Sequence, residues 1–161
     1  MRLIIAAVGK LKDGPERVLF ARYAERMATV ARAAGIGPVE LREIVEGRAG
    51  SSEVRMAEEA ERLLAKTRDA GVCILLDERG TAHTSLSFAK LLRDLREHGQ
   101  ASVAFLLGGA DGHGDAARQA AQHTLSLGPM TLPHGLARIV LAEQIYRAGT
   151  ILTGHPYHRD R

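Results

Sequence analysis

Short apolar runs alternate with longer stretches of helical period along this chain. Leu3–Val8 is continuously apolar, the mark of a strand covered on both faces. Pro15 opens a helical pattern that runs to about Ala34, and Gly35 stops it. Val39–Val45 alternates as a second strand. Gly47 to Ser52 is a loop ending in a helix cap, and Glu53–Arg68 is a charged helix. Val72–Leu76 is a third apolar strand. Thr84 or Ser85 caps the next helix, where Phe88, Leu91, Leu92 and Leu95 recur at helical spacing until Gly99. Ser102–Leu107 is a fourth strand, Asp115–His123 a short helix, Thr124–Leu127 a strand and His134–Thr150 the last long helix. No repeat, linker or low-complexity stretch interrupts the series. It predicts one α/β domain over residues 1–161 with a Rossmann-like, largely parallel sheet. Periodicity alone predicts that this sheet is unknotted.

Composition narrows the class. At 161 residues, 45% hydrophobic and 25% charged, the chain suits a single soluble core. No apolar run nears the ~20 residues of a membrane span. The first apolar stretch is too short for a signal peptide, so a cytoplasmic protein is expected. The sole cysteine, Cys73, reads as a small buried hydrophobe in a strand and excludes an intrachain disulfide. Net charge is +3, and 18 of the 22 basic residues are arginine. That balance permits an RNA partner without demanding one.

Four segments could carry chemistry. Gly108-Gly109-Ala110-Asp111-Gly112-His113-Gly114 follows a buried strand and precedes a helix, where ligands approach free backbone amides in open α/β sheets. A plain strand-to-helix turn would use the same residues, and the spacing is not that of a dinucleotide fingerprint. A branched side chain at Gly109 is expected to fill ligand space. Gly128, Pro129, Met130, Thr131, Leu132 and Pro133 form a stretch held extended by two prolines. It could receive an adenine or simply orient the last helix. That helix extends an apolar stripe into Glu143 and Arg147, which can pair at i, i+4. Such a stripe also suits a symmetric helix-packed dimer. His155-Pro156-Tyr157-His158-Arg159-Asp160-Arg161 gathers an aromatic, two imidazoles and two guanidiniums, which can stack on a base, hold phosphate and move a proton. His155 and His158 could touch one metal, but without an obvious third ligand they do not make a zinc site. His83, His98, His113 and His123 are expected in loops or on helix surfaces, without a role.

Taken in order, Leu107-Gly108-Gly109-Ala110-Asp111-Gly112, Met130-Thr131-Leu132-Pro133-His134, Glu143-x-x-Tyr146-Arg147-Ala148 and His155-Pro156-Tyr157-His158-Arg159 form one pattern. It resembles the small SPOUT-class methyltransferases of the RlmH type, over nearly the whole chain from Val8-Gly9-Lys10 onward. The resemblance implies a C-terminal trefoil knot and a homodimer built on the last helix. It implies a pocket for S-adenosylmethionine lined by Leu76, Gly109 and Gly128 to Pro133. The substrate implied is 23S rRNA on the assembled ribosome, methylated at N3 of pseudouridine 1915 (rRNA numbering) in helix 69. Tyr157 would stack on the base, His158 or His155 would handle the proton and Arg159 would answer substrate charge. The tail would reach the partner's pocket, and neither metal nor membrane takes part.

Three positions depart from the family. Gly128 stands where relatives often carry serine, Gly149 where a bulky residue is usual, and Arg161 lies beyond the usual last residue. Gly149 is expected to loosen the helix end. Two other readings stay open from the residues alone: a non-catalytic RNA- or ribosome-binding module, and a metal hydrolase using His155 and His158. Saturable binding of S-adenosylmethionine separates the methyltransferase from both.

Overall fold

A computed structural model describes residues 1–159; Asp160 and Arg161, the second guanidinium of the tail among them, lie outside the described residues. The chain runs β1 (Arg2–Val8), α1 (Pro15–Ala34), β2 (Val39–Ile44), α2 (Ser52–Lys66), β3 (Val72–Ala82), α3 (Ser85–Glu97), β4 (Ser102–Leu107), α4 (Asp115–Ala120), β5 (His123–Ser126) and α5 (His134–Thr153). The five strands form one parallel sheet in the order β2-β1-β4-β3-β5.

Strand periodicity sorts the side chains into two layers. Leu3, Ile5 and Ala7 of β1 join Val103 and Phe105 of β4 and Ile74 of β3 in a core closed by α1, α3 and α5. Ile4, Ala6 and Val8 turn the other way, with Leu75, Ala104 and Leu106, toward Ala60 and Leu63 of α2 and Ala117 of α4. Both faces of the central strands are covered, which is why they read as continuous apolar runs.

Several boundaries differ from the sequence expectation. Of the two caps expected for α3 the structure selects Thr84, whose hydroxyl accepts from the Ser87 N–H at 3.1 Å. Strand β3 continues past Leu76: residues 77–80 bulge out, and Thr81 and Ala82 then pair with Leu125 and Ser126. Polar Asp77-Glu78-Arg79 hid this extension from an apolar count. Helix α4 stops at Ala120, and His123 begins β5 opposite Ile74. The bulk of Cys73 is half-buried rather than enclosed.

Helix α5 runs through Gly149 to Thr153 and is not loosened there. Gly149 lies against α1, and a Cβ on it would come within 3.0 Å of Val30 and 3.1 Å of Met27. The glycine is what lets α1 and α5 pack this closely. Gly154 ends the helix in the left-handed region (φ 68), with its N–H bonded to Ile151 O and that of His155 to Thr150 O, a Schellman closure. At its other end α5 is anchored across β1. Arg138, 2% exposed, donates to the carbonyls of Val8 (2.5 Å) and Gly9 (2.8 Å) and to Glu43 of β2 (2.8 Å). The chain leaving the edge strand β5 therefore passes over the carboxyl ends of the inner strands to reach β1.

Candidate active site

The carboxyl ends of β3, β4 and β5 open into a cavity of about 410 Å³. Its floor is Leu76, Leu107 and Leu125. One wall is the turn Gly108 to His113; the other is Leu127, Gly128, Met130, Thr131 and Leu132, with His134 and Ala137 of α5 behind. Of the eight pocket residues expected from sequence, Leu76, Gly109, Gly128, Met130, Thr131 and Leu132 line it. Pro129 and Pro133 do not, and instead bracket the loop that does. Met130 is 79% exposed, an apolar side chain at the mouth of a cavity.

The glycine-rich turn is held from behind. Gly112 has φ 93, a left-handed conformation that favours glycine, and its N–H bonds to Gly109 O at 3.0 Å. Asp111 pairs with Arg55 of α2 at 2.8 Å. Gly109 itself has no positive φ, and its Cβ direction is occupied: a Cβ would stand 2.5 Å from the carboxylate of the buried Glu59. The expectation that a branched residue at 109 would fill ligand space is corrected; it would strike Glu59. That carboxylate also accepts the Gly47 N–H at 2.7 Å.

His113, given no role from sequence, is 7% exposed and lines the cavity. Its Nε2 sits 2.8 Å from Leu76 O and 3.2 Å from the Gly108 N–H, joining the ends of β3 and β4. Burial pushes this imidazole below the ordinary histidine range. A histidine in a seven-residue turn with four glycines carries no periodic signal that would place it indoors. At the lip, Asp77 accepts from Arg118 at 2.6 Å and from the Arg79 N–H at 2.9 Å. Burial opposes its ionisation, yet those two bonds hold its carboxyl below the usual range.

The tail lies elsewhere. None of residues 155–159 lines the cavity, and the 20-residue α5 between them is ~30 Å long at 1.5 Å per residue. Tyr157 packs back on α5. Its hydroxyl donates to Glu143 Oε1 at 3.0 Å, its ring lies 4.7 Å from Tyr146, and the Arg147 guanidinium stands 4.8 Å over it. Burial first, then the bond to Glu143, pushes the Tyr157 phenol up to about 12. Arg147 pairs with Glu143 at 2.6 Å. His155 and Arg159 are exposed, and His155 Nδ1 accepts the Tyr157 N–H at 3.2 Å.

Among the described residues, no three His, Cys, Asp or Glu side chains converge as a metal site. No described helix is long and apolar enough to cross a membrane.

Residues 1–158 match a family model described as a predicted SPOUT methyltransferase. The chain is 48% identical over 159 residues to a protein of Rhizobium leguminosarum named ribosomal RNA large subunit methyltransferase H, covering 99% of each. A protein of the same name from Paramagnetospirillum magneticum is 50% identical over 159 residues, again with 99% coverage of both. A solved probable methyltransferase from Bordetella pertussis shares the fold, with TM-score 0.51 at 16% identity, over 91% of this chain and 94% of that one.

Proposed function

The chain belongs to the SPOUT methyltransferase family, and from that membership we propose that it methylates N3 of a pseudouridine in the helix 69 loop of 23S rRNA, pseudouridine 1915 in rRNA numbering, using S-adenosylmethionine. The observation that carries this is the cavity over β3, β4 and β5, joined to 48% and 50% identity over nearly the full length with proteins named as large-subunit rRNA methyltransferases.

The residues fit the cofactor. A cavity of about 410 Å³ is of the size that small-molecule sites use. Met130, Leu132 and Leu127 give an apolar wall for a nucleobase, and the glycine turn exposes backbone amides and carbonyls at close range. S-adenosylmethionine supplies an electrophilic methyl carbon on a sulfonium, so no metal is required. Tyr157 stacks on the base with the exposed part of its ring. Its phenol stays protonated at neutral pH, so it is not the base that accepts the N3 proton. His158 or His155 takes that proton, and Arg159 balances the charge moving onto the pyrimidine ring.

The separation of tail and cavity along α5 supports a composite site in a homodimer. One chain cannot bring Tyr157 to its own cavity without unpacking it from Glu143 and Tyr146. A second copy, docked on α5, can present its tail there. Leu136 of α5, 44% exposed, gives that helix apolar surface to bury. The whole chain acts as one catalytic domain in the cytoplasm, with its C-terminal segment knotted.

Calorimetric titration with S-adenosylmethionine tests the reading. Saturable binding at one molecule per chain is expected, weakened when Thr131 and Leu132 are both replaced by glycine. Absence of saturable binding would remove the proposal.

A further inference from the structure

All three tyrosines of the chain lie in one line of ring contacts. Tyr157 of the tail packs 4.7 Å from Tyr146, and Tyr146 lies 6.4 Å from Tyr23 on α1. A guanidinium stands over the ring at each end. Arg147 is 4.8 Å from the Tyr157 centroid and Arg26 5.7 Å from that of Tyr23.

The two ends differ in what holds the arginine. Arg147 is neutralised by Glu143. Arg26 is exposed, and among the described residues no carboxylate pairs with it; its one side-chain interaction is with the Tyr23 ring. Arg22, one turn earlier, is exposed and equally without an acidic partner among the described residues. Like charges at i, i+4 on a helix surface repel, so folding gains nothing from this pair. A guanidinium braced on an aromatic and open at its fork is well placed to take a phosphate in two parallel bonds.

We propose that Arg22 and Arg26, the latter braced on Tyr23, form a second contact step for the RNA substrate, taking the phosphates of nucleotides next to the target pseudouridine. The proposal rests on the RNA-methyltransferase reading above. The step and the tail belong to the same chain and are joined through the buried Tyr146, so both address RNA held at one composite site.

The test is binding of the purified dimer to large ribosomal subunits from cells lacking this protein, measured across a salt series. The variant Arg22→Gln with Arg26→Gln should bind more weakly, with the slope of log K against log salt reduced by about 1.4, roughly 0.7 for each single-strand phosphate contact. Affinity for S-adenosylmethionine should not move, since neither side chain lines the cavity, and the melting temperature should fall only slightly, by the loss of the Arg26–Tyr23 contact. Replacing both by lysine should restore the slope. An equal loss of charge on the opposite layer, Lys66→Gln with Arg68→Gln, should leave it unchanged. A double-glutamine variant with the wild-type slope, or an equal drop in the opposite-layer control, would overturn the step while leaving the methyltransferase reading intact. A wild-type protein that neither binds S-adenosylmethionine nor labels rRNA would overturn both.

Discussion

The hydroxyl of Tyr157 donates to Glu143 at 3.0 Å, and the same carboxylate oxygen receives Arg147 at 2.6 Å. One acid therefore holds both a tail residue and the helix cation that lies over its ring. The tail is packed, not merely appended, so removing residues 155–161 should cost stability as well as substrate use. Tyr157→Phe should keep the ring contacts and lose only the bond, about 0.5–1.5 kcal/mol in urea unfolding. Spectrophotometric titration should find one phenol ionising near 12. Because that value lies above the ordinary 10, the contribution of Tyr157 is fully present at neutral pH and is lost as pH rises through it.

Gly109 should fail through Glu59. Gly109→Val drives a side chain into a carboxylate 2.5 Å from its Cβ, so both the melting temperature and the affinity for S-adenosylmethionine should fall. Shortening the acid should repair part of the damage: Gly109→Ala with Glu59→Ala should melt higher than Gly109→Ala alone. If the acid has no influence, the two changes will simply add.

His113 predicts an acid-side weakness. Burial depresses its folded value below 6.5, so the unfolded chain binds a proton more readily. Its contribution is fully present above about 6.5 and is lost as pH falls from there toward the folded value. Nε2 lies 2.8 Å from the Leu76 carbonyl and donates to it, so the second proton must go to Nδ1, which is buried without a partner among the described residues. His113→Gln should shrink the drop in melting temperature between about pH 7.5 and pH 5, and should flatten the same drop in affinity for S-adenosylmethionine. Identical pH profiles in variant and wild type would exclude His113 as the cause.

Arg138 should be the costliest single charge to remove. Arg138→Leu leaves Glu43 and the carbonyls of Val8 and Gly9 without their shared donor. Breaking a buried pair from one side costs about 3–5 kcal/mol, measurable by urea unfolding.

The layer architecture was legible because the strands are doubly covered: Leu3–Val8 and Ser102–Leu107 announce themselves as apolar runs. The extension of β3 was not, since polar Asp77, Glu78 and Arg79 interrupt the apolar pattern where the strand bulges. Neither was the inward turn of His113, which depends on two backbone partners distant in sequence or in a glycine loop. Gly149 was misjudged because a helix-propensity scale sees only the helix itself, whereas the space above that glycine belongs to Val30 and Met27 of α1. Six of the eight positions proposed for the cofactor line one cavity, a grouping that motif resemblance suggested and periodicity did not. The position of the tail at the far end of α5 follows from helix length, but its packing on Glu143 does not.

Mixed dimers test the composite site. One chain lacking residues 155–161, paired with one carrying Gly109→Val, should regain a single working site, because the intact tail and the intact cavity then sit on opposite chains. Absence of recovery with heterodimers confirmed would confine the tail to its own chain.

Mapping of methylated bases in large-subunit rRNA bears most directly on the central claim. Ribosomes from cells lacking this protein should have no N3-methyl mark on the helix 69 pseudouridine, and purified protein with S-adenosylmethionine should install one methyl group there. A mark already present without the protein, or a methyl group placed on another base, would contradict the account.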